Sequence, residues 1–312
     1  MLQGKTAFIS TGASRGIGAE VAKTLAARGA NVVIAAKSAE PHKILPGTIH
    51  SVADEVHAIA DKHQNGAKAL PIQMDVRDDR AVKDAIAKAV GTFGNLDILV
   101  NNASAINLGT TVDAKPKNYD LVNNINARGT WLVSRYALEH LYQSASAGRN
   151  PHIVTLSPPL NQGLFARRDD KMDASFAQTR ALYAMSKCAM SVAAYALAGE
   201  ALPRGVASNT IWPYTLIGTS AMRVVNPGEG AERGWRSPAI VSDAAVRLVQ
   251  EDAKEWTGRF LIDELYLRER HGFTTEQMAA YSIAGPDTPF SDLSEDLFIT
   301  QEVREAVRAY YS

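Results

Sequence analysis

Three glycines close together constrain this chain more than any other feature. The segment Lys5 to Gly18 reads Lys-Thr-Ala-Phe-Ile-Ser-Thr-Gly-Ala-Ser-Arg-Gly-Ile-Gly. A short apolar, β-prone run, Ala7 to Ile9, leads into Gly12, Gly16 and Gly18. Behind them comes Ala19 to Arg28, with Val21, Ala22, Leu25 and Ala26 at helical spacing. The pattern is strand, glycine turn, helix. Glycine lets the backbone turn sharply and approach a phosphate closely. The free N–H groups and positive dipole end of the following helix then face the anion. The spacing is T-G-x-x-x-G-x-G rather than G-x-G-x-x-G, and an ordinary glycine-rich turn is the alternative. The strand before and the helix after favour dinucleotide binding.

Length leaves room for one large domain or two smaller ones among 312 residues. Thirty-three basic and thirty-three acidic side chains balance, so charge makes no case for nucleic acid or an anionic membrane. One cysteine, Cys188, excludes an internal disulfide framework and suits a reducing, cytoplasmic compartment. No apolar run approaches the ~20 residues of a membrane span. The chain reads directly into its first strand, so no signal peptide and no membrane insertion are expected. The last residues, Ala309-Tyr310-Tyr311-Ser312, form no peroxisomal tripeptide or lipidation box. No metal site is expected.

The second strand, Asn31 to Ala36, ends at Ala36-Lys37. In dinucleotide folds an acid about 20 residues past the glycines holds the adenosine ribose, and a basic group there takes a 2′-phosphate instead. Ala36 stands in that place, Lys37 follows, and Arg15 adds a second cation. Two solvated surface charges are the alternative. The long loop Ser38 to Gly47 is either functional or a tolerated insertion. Helices are expected from about Ile49 to Gln64 and Asp79 to Thr92, with strands Ala67 to Met74 and Leu96 to Val100. Asp75, at a strand's carboxyl end, can accept a hydrogen bond from adenine or cap the next helix. Asn101-Asn102-Ala103-Ser104 suggests a cofactor wall, or an Asn-rich turn. Tyr119 to Tyr142 reads as helical, yet Asn123, Asn124 and Asn126 fall inside it, and asparagine is a poor helix former. Either a kink around a water or side chain explains them, or chance does.

Strand His152 to Ser157 stops at Pro158-Pro159, and Leu160 to Arg180 reads as a mobile segment over the site. The next helix, Tyr183 to Leu202, carries Tyr183 and Lys187 at i and i+4, on one face. A phenol ionises near pH 10, and a nearby ammonium lowers that value. The pair therefore suits a general acid/base unit; a structural pair is the alternative, and the place beyond the fifth strand of a dinucleotide fold favours the former. The rest of this helix is apolar almost all round, which predicts burial. Its small residues also allow contact with another subunit. Strand Val206 to Ile211 ends at Trp212-Pro213. Tyr214 to Arg236 reads as a substrate lid rather than core. Ser237-Pro238 opens helix Ala239 to Glu251, and Arg259 to Ile262 is the last strand. The tail from Arg268, with a short helix Gln301 to Tyr310, is too short for a second domain and is expected to pack on the body or on a neighbour.

Taken together, these motifs resemble the short-chain dehydrogenase/reductase family over about residues 3–265. Thr11 to Gly18, Asn101-Asn102-Ala103, Asn126 and Tyr183-x-x-x-Lys187 stand in the family's order. The resemblance implies a single α/β domain: a doubly wound, Rossmann-type, seven-stranded parallel sheet with helices on both faces, over 1–267. A C-terminal extension, 268–312, follows. It implies an oxidoreductase in which Tyr183 exchanges a proton with the substrate oxygen. Lys187 would hold the nicotinamide ribose and depress the tyrosine pKa, and Asn126 would hold a water in the proton relay. Gly12, Ser14, Arg15, Gly16, Ile17, Gly18, Lys37, Asp75, Val76, Asn102, Ala103, Ser104, Tyr183, Lys187 and Pro213 would line the cofactor. NADP(H) is expected over NAD(H), with a small alcohol or carbonyl substrate and a homo-oligomer, dimer or tetramer.

A narrower resemblance, to the hydroxysteroid dehydrogenase-like protein 2 group and to bacterial citronellol/citronellal dehydrogenase-type chains, implies a lipid-like or terpenoid substrate. It rests on Ala35-Ala36-Lys37, Ala39 to Ile49, Asn101 to Asn107, Ser157 to Asn161 and Trp212-Pro213. Departures from the family stand at Ser104 and Tyr214, where glycine is usual. The family's serine position holds Pro158; Ser157, one place early, either is swung toward Tyr183 by the two prolines as the substitute catalytic hydroxyl or satisfies a buried backbone group, and the stretch before Tyr183 is long. A cofactor-binding protein of low activity and an enoyl-thioester reductase are the alternatives.

Overall fold

The short apolar runs become strands of a sheet buried on both faces. The computed structural model describes residues 2–41, 46–161, 167–168, 171–172 and 180–312. Seven parallel strands form the sheet: β1 Thr6–Ile9, β2 Asn31–Ala36, β3 Ala69–Gln73, β4 Ile98–Asn101, β5 His152–Leu156, β6 Ala207–Trp212 and β7 Phe260–Ile262. Their order is β3-β2-β1-β4-β5-β6-β7. Sequence order reverses between β1 and β4, and ligands bind at the carboxyl ends beside such a switch point. Arg167–Arg168 and Lys171–Met172 pair antiparallel outside the sheet. The expected segment 160–180 falls almost wholly outside the described residues, as do residues 42–45 of the Ala39 to Ile49 stretch.

Alternation sorts the strand side chains into two cores. Ala7, Ile9, Ile34 and Val100 face helices α1 (Gly16–Ala27), α2 (Ile49–His63) and α8 (Ala239–Leu248). Phe8, Val33, Leu99 and Ile153 face α3 (Asp79–Phe93), α5 (Gly129–Ser146) and α6 (Ala181–Ala201). Two cores on one sheet, each covered by helices, make the doubly wound layering. Asp97 ties the amino ends of the strands. Its buried carboxylate accepts from Thr6 N–H, Ser144 Oγ and both Nε and an Nη of Arg149.

A third cluster belongs to the tail. Phe298, Ile299, Val303 and Val307 pack with Trp212, Tyr214, Ile262 and Tyr183 at the carboxyl ends of β6 and β7. The tail leaves the sheet through α9 (Asp263–His271), which runs across residue 267, then α10 (Thr275–Ala279) and α11 (Gln301–Arg308). Arg236 and Arg268 both bind the buried Glu264, and the Tyr311 hydroxyl joins them at 2.7 Å from Glu264 and 2.9 Å from Arg236.

Several expectations need correction. The stretch 119–142 is not one regular helix. α4 (Pro116–Asn123) passes through a π-turn, Asn124–Arg128, into α5, and π-turns recur at functional sites. Residues 181–204 are long and apolar enough to cross a membrane, contrary to the reading of the run alone, but 56% of that window is buried inside this protein. Nor is α6 buried all round: Met185, Val192 and Tyr195 are exposed. The 214–236 stretch is core at its ends, where Tyr214, Trp235 and Arg236 are buried. Only its middle, with α7 (Ser220–Val225), lies outside. Asp78, not Asp75, caps α3, accepting from Ala81 N–H at 3.1 Å.

Candidate active site

The glycine turn packs against a neighbour across the sheet. Asn102 follows β4, and its Nδ2 donates to the Thr11 carbonyl at 3.2 Å. A Cβ on Gly12 would sit 2.8 Å from that Nδ2, and one on Gly18 only 2.6 Å. Gly12 also holds a φ of +93°, and a Cβ on Gly18 would meet the Gly12 carbonyl oxygen at 2.9 Å, so backbone conformation and close backbone approach require glycine here. Ser10 Oγ fixes the same corner by accepting from the N–H groups of Asn102 and Ala103. Helix α1 begins with Arg15 as its N-cap. Among the described residues no side chain caps it, and its first turn carries no acid. Uncapped N–H groups at a glycine turn suit a phosphate. These residues therefore fit the dinucleotide that the sequence implies.

The adenosine end is more elaborate than the sequence suggests. Arg15 donates through its guanidinium to the Gly47 carbonyl at 3.1 Å, which ties it to the β2–α2 loop. Lys37 is 68% exposed, with its ammonium 3.7 Å from Asp75. Asp75 is gripped by Arg77 through Nε and Nη, the latter at 2.6 Å, and also by the Arg77 N–H. The guanidinium beside it holds its carboxyl down at about 2. Val76 is buried.

A cavity of about 390 Å³ opens at the carboxyl ends of the strands. Ile17, Asn102, Ser104, Tyr183, Lys187 and Pro213 line it, as the sequence leads one to expect. Helix α6 brings Tyr183 and Lys187 in together by its i, i+4 spacing. Lys187 is buried, donates to the Leu156 carbonyl at 2.8 Å and lies 5.2 Å from the Trp212 ring centroid. Burial pushes its pKa down to about 7, and the charge of Asp296 opposes that shift. Burial pushes the Tyr183 hydroxyl well above the usual phenol range, Asp296 adds to the rise, and the Ser104 side chain opposes it. The expected depression of the Tyr183 pKa by Lys187 is thus absent here, because Lys187 points its ammonium at Leu156 and desolvation dominates.

Asn126 sits on the π-turn, wholly buried. Its side chain pairs with both backbone groups of Ala105, at 2.7 and 2.9 Å, and donates to Ser186 Oγ at 3.0 Å. It braces the 102–105 wall, and it does not line the cavity. Ser157 fares differently from either reading of it. Its hydroxyl is buried, has no hydrogen-bond partner among the described residues and is not part of the described cavity wall. Neither a turn toward Tyr183 nor a bond to a buried backbone group is realised.

Of the other walls, sequence reasoning anticipated the stretch it read as a lid but not the tail. Thr219, Met222, Val225 and Asn226 come from around α7, and a Cβ on Gly16 would lie 3.2 Å from Thr219 Cγ2, so this lid reaches the glycine turn. Glu295, Asp296 and Leu297 come from the tail. The only local signal for them was an acidic pair beside Leu297-Phe298-Ile299, an apolar run in an otherwise polar tail.

Proton-handling side chains beside a phosphate-ready turn place this protein among the dinucleotide-dependent oxidoreductases. Residues 5–159 match the family model described as short chain dehydrogenase. A short chain dehydrogenase of known crystal structure from Mycobacterium thermoresistibile is 40% identical, covers 96% of each chain and superposes with a TM-score of 0.80. The chain belongs to the short-chain dehydrogenase/reductase family. Hydroxysteroid dehydrogenase-like protein 2 of Xenopus tropicalis is 44% identical over 267 residues, covering 86% of this chain and 58% of that protein. The chain thus spans less than two thirds of that relative. A 3-ketoacyl-(acyl-carrier-protein) reductase from Brucella melitensis complexed with NADH shares the fold at 24% identity and a TM-score of 0.65, over 84% of this chain and 97% of that one.

Proposed function

We propose that this protein moves a hydride between NADP(H) and an alcohol/carbonyl pair on a lipid-like or terpenoid molecule, with Tyr183 as general acid/base. The observation that carries this reading is a single, mostly apolar cavity onto which Tyr183, Lys187 and the glycine-turn residue Ile17 all open. The nicotinamide, when bound, supplies or accepts the hydride. Tyr183 gives its hydroxyl proton to the substrate oxygen in reduction and takes it back in oxidation. Lys187, one turn along α6, holds positive charge beside that exchange. Leu108, Trp212, Leu216, Ile217, Met222 and Val225 exclude water and accept hydrocarbon. The likeness to hydroxysteroid dehydrogenase-like protein 2 supports a lipid-like substrate.

Ser104 takes the place of the hydroxyl that Pro158 cannot offer. It opens onto the cavity, and its side chain favours ionised Tyr183. Preference for NADP(H) follows from Lys37 and Arg15 at the β2 end and from Ala36, which presents no acid to a 2′-phosphate. The exposed Met185, Val192 and Tyr195 of α6 support a homo-oligomer, dimer or tetramer. A reading as a cofactor-binding protein of low activity draws on the buried, unpartnered Ser157.

Nicotinamide absorbance with each cofactor, across terpenoid, aliphatic, steroid and acyl-thioester substrates, tests the reading. Tyr183→Phe is expected to retain cofactor affinity and lose turnover by ~10²–10⁴-fold. Near-normal turnover in that variant removes Tyr183 from the mechanism.

A further inference from the structure

The tail builds part of the cavity wall, and it does so with backbone registration. Residues 294–298 lie along 212–216. Leu216 N–H donates to the Ser294 carbonyl at 2.9 Å, and Asp296 N–H to the Tyr214 carbonyl at 2.9 Å. Thr215 and Glu295 form an antiparallel bridge. The Trp212 indole N–H donates to the Leu297 carbonyl at 2.7 Å. Phe298 then sits 6.3 Å from the Tyr183 ring and 5.5 Å from Trp212, edge on.

Two successive carboxylates are delivered this way, and their surroundings differ. Glu295 accepts from the Tyr214 hydroxyl at 3.1 Å, from Arg304 at 2.5 Å and from Arg308 at 3.5 Å, so its charge is answered. Asp296 is held by the Leu297 N–H at 2.6 Å, lines the same cavity as Tyr183 and Lys187, and has no cation bonded to it among the described residues. On the other side, the buried Lys187 ammonium has a carbonyl and a ring face as partners. Neither is a counter-charge, and a buried ammonium without one is costly.

We propose that Asp296 is the positioning residue that keeps the Lys187 ammonium charged inside the cavity, so that the C-terminal tail governs the proton-transfer pair of the sheet domain. This rests on the reading of Tyr183 and Lys187 given above. Electrostatics agree with the placement. Asp296 is the charge that opposes the downward push of burial on Lys187. Burial moves Asp296 itself up to about 7, the Leu297 N–H opposes that, the neighbouring Asp263 adds to it, and Lys187 opposes it. Asp263 is buried and accepts from the Tyr214 and Glu264 N–H groups. Tyr183, Lys187, Asp263 and the already paired Glu295 are therefore the ionisable groups around Asp296.

Competitive acetylation reads this directly, without a substrate. The folded full-length protein is treated with acetic anhydride from pH 5 to 10, and acetylation of Lys187 is quantified by peptide mass spectrometry. In wild type the midpoint is expected near the value of about 7 that burial and Asp296 set together. Asp296→Asn is expected to lower it by ~1 unit or more, the range for a lost opposite charge, and Asp296→Glu to restore it. Superimposed wild-type and Asn curves overturn the proposal. Turnover of citronellol gives a second readout. Asp296 raises both Tyr183 and Lys187, so Asp296→Asn must move the pH–rate limb to lower pH, and an unmoved or raised limb overturns the proposal. Tyr183→Phe runs alongside. Turnover surviving there removes the catalytic reading, while the acetylation result still decides whether Asp296 charges Lys187.

Discussion

Ser104→Ala is the substitution that most sharply tests how the site manages without a serine at position 158. Ser104 opens onto the cavity, is exposed, and its side chain opposes the upward push of burial on the Tyr183 pKa. Removing the hydroxyl leaves no buried hole, so stability stays within about 0.5 kcal/mol. Loss of one oxyanion-type donor costs ~10²–10³ in turnover, which at ~1.4 kcal/mol per tenfold is about 3–4 kcal/mol of barrier. A second effect has a definite sign. Ser104 holds Tyr183 down against burial, so its loss moves the oxidation profile to higher pH, opposite to Asp296→Asn. Ser157→Ala is the control. Its hydroxyl is buried and unpartnered, so its removal leaves turnover unchanged and costs no hydrogen bond. Steady-state kinetics of both variants, with thermal melts, decide the matter. Near-wild-type turnover in Ser104→Ala, or an equal loss in Ser157→Ala, refutes the reasoning.

Two further outcomes are expected. Ala36→Asp with Lys37→Ala should shift preference from NADP(H) toward NAD(H), read by fluorescence titration of both cofactors; tighter NAD(H) binding by the wild type would contradict it. His152, buried at the start of β5, has its pKa pushed down to about 4 by desolvation, against ~6.5 in an unfolded chain. As pH falls from ~6.5 to 4 the unfolded state binds a proton that the folded state refuses, so stability drops by on the order of 3 kcal/mol. Denaturant unfolding across that range should show the drop in wild type and a smaller one in His152→Gln; parallel curves for the two would count against it.

The sheet was legible because each of its instructions is local. A short, continuous apolar run such as Ala7 to Ile9 states a buried strand, and T-G-x-x-x-G-x-G states a turn, within a few residues. Tyr183 and Lys187 were legible for the same reason, since i, i+4 spacing on a helix fixes their common face. Failures occur where meaning depends on distant chain. Nothing near Asp296 says that its backbone N–H meets the Tyr214 carbonyl. Ser157 looked reactive because prolines follow it, but its orientation was settled by β5, which buries it. The asparagines at 123–126 signalled an irregularity correctly, though its form is a π-turn. The pKa of Tyr183 was misjudged because spacing reports which groups are adjacent and not how much water each has lost.

The tail wall also places an order on biosynthesis. Ile262 ends β7, so all seven strands precede the tail wall in the chain. Asp296 follows it by 34 residues, roughly 2–7 s later at ~5–20 residues per second. Until Glu295, Asp296 and Leu297 are made, the cavity beside Tyr183 lacks the wall that they supply. The wall that the tail contributes can therefore be completed only after every strand of the sheet has been made.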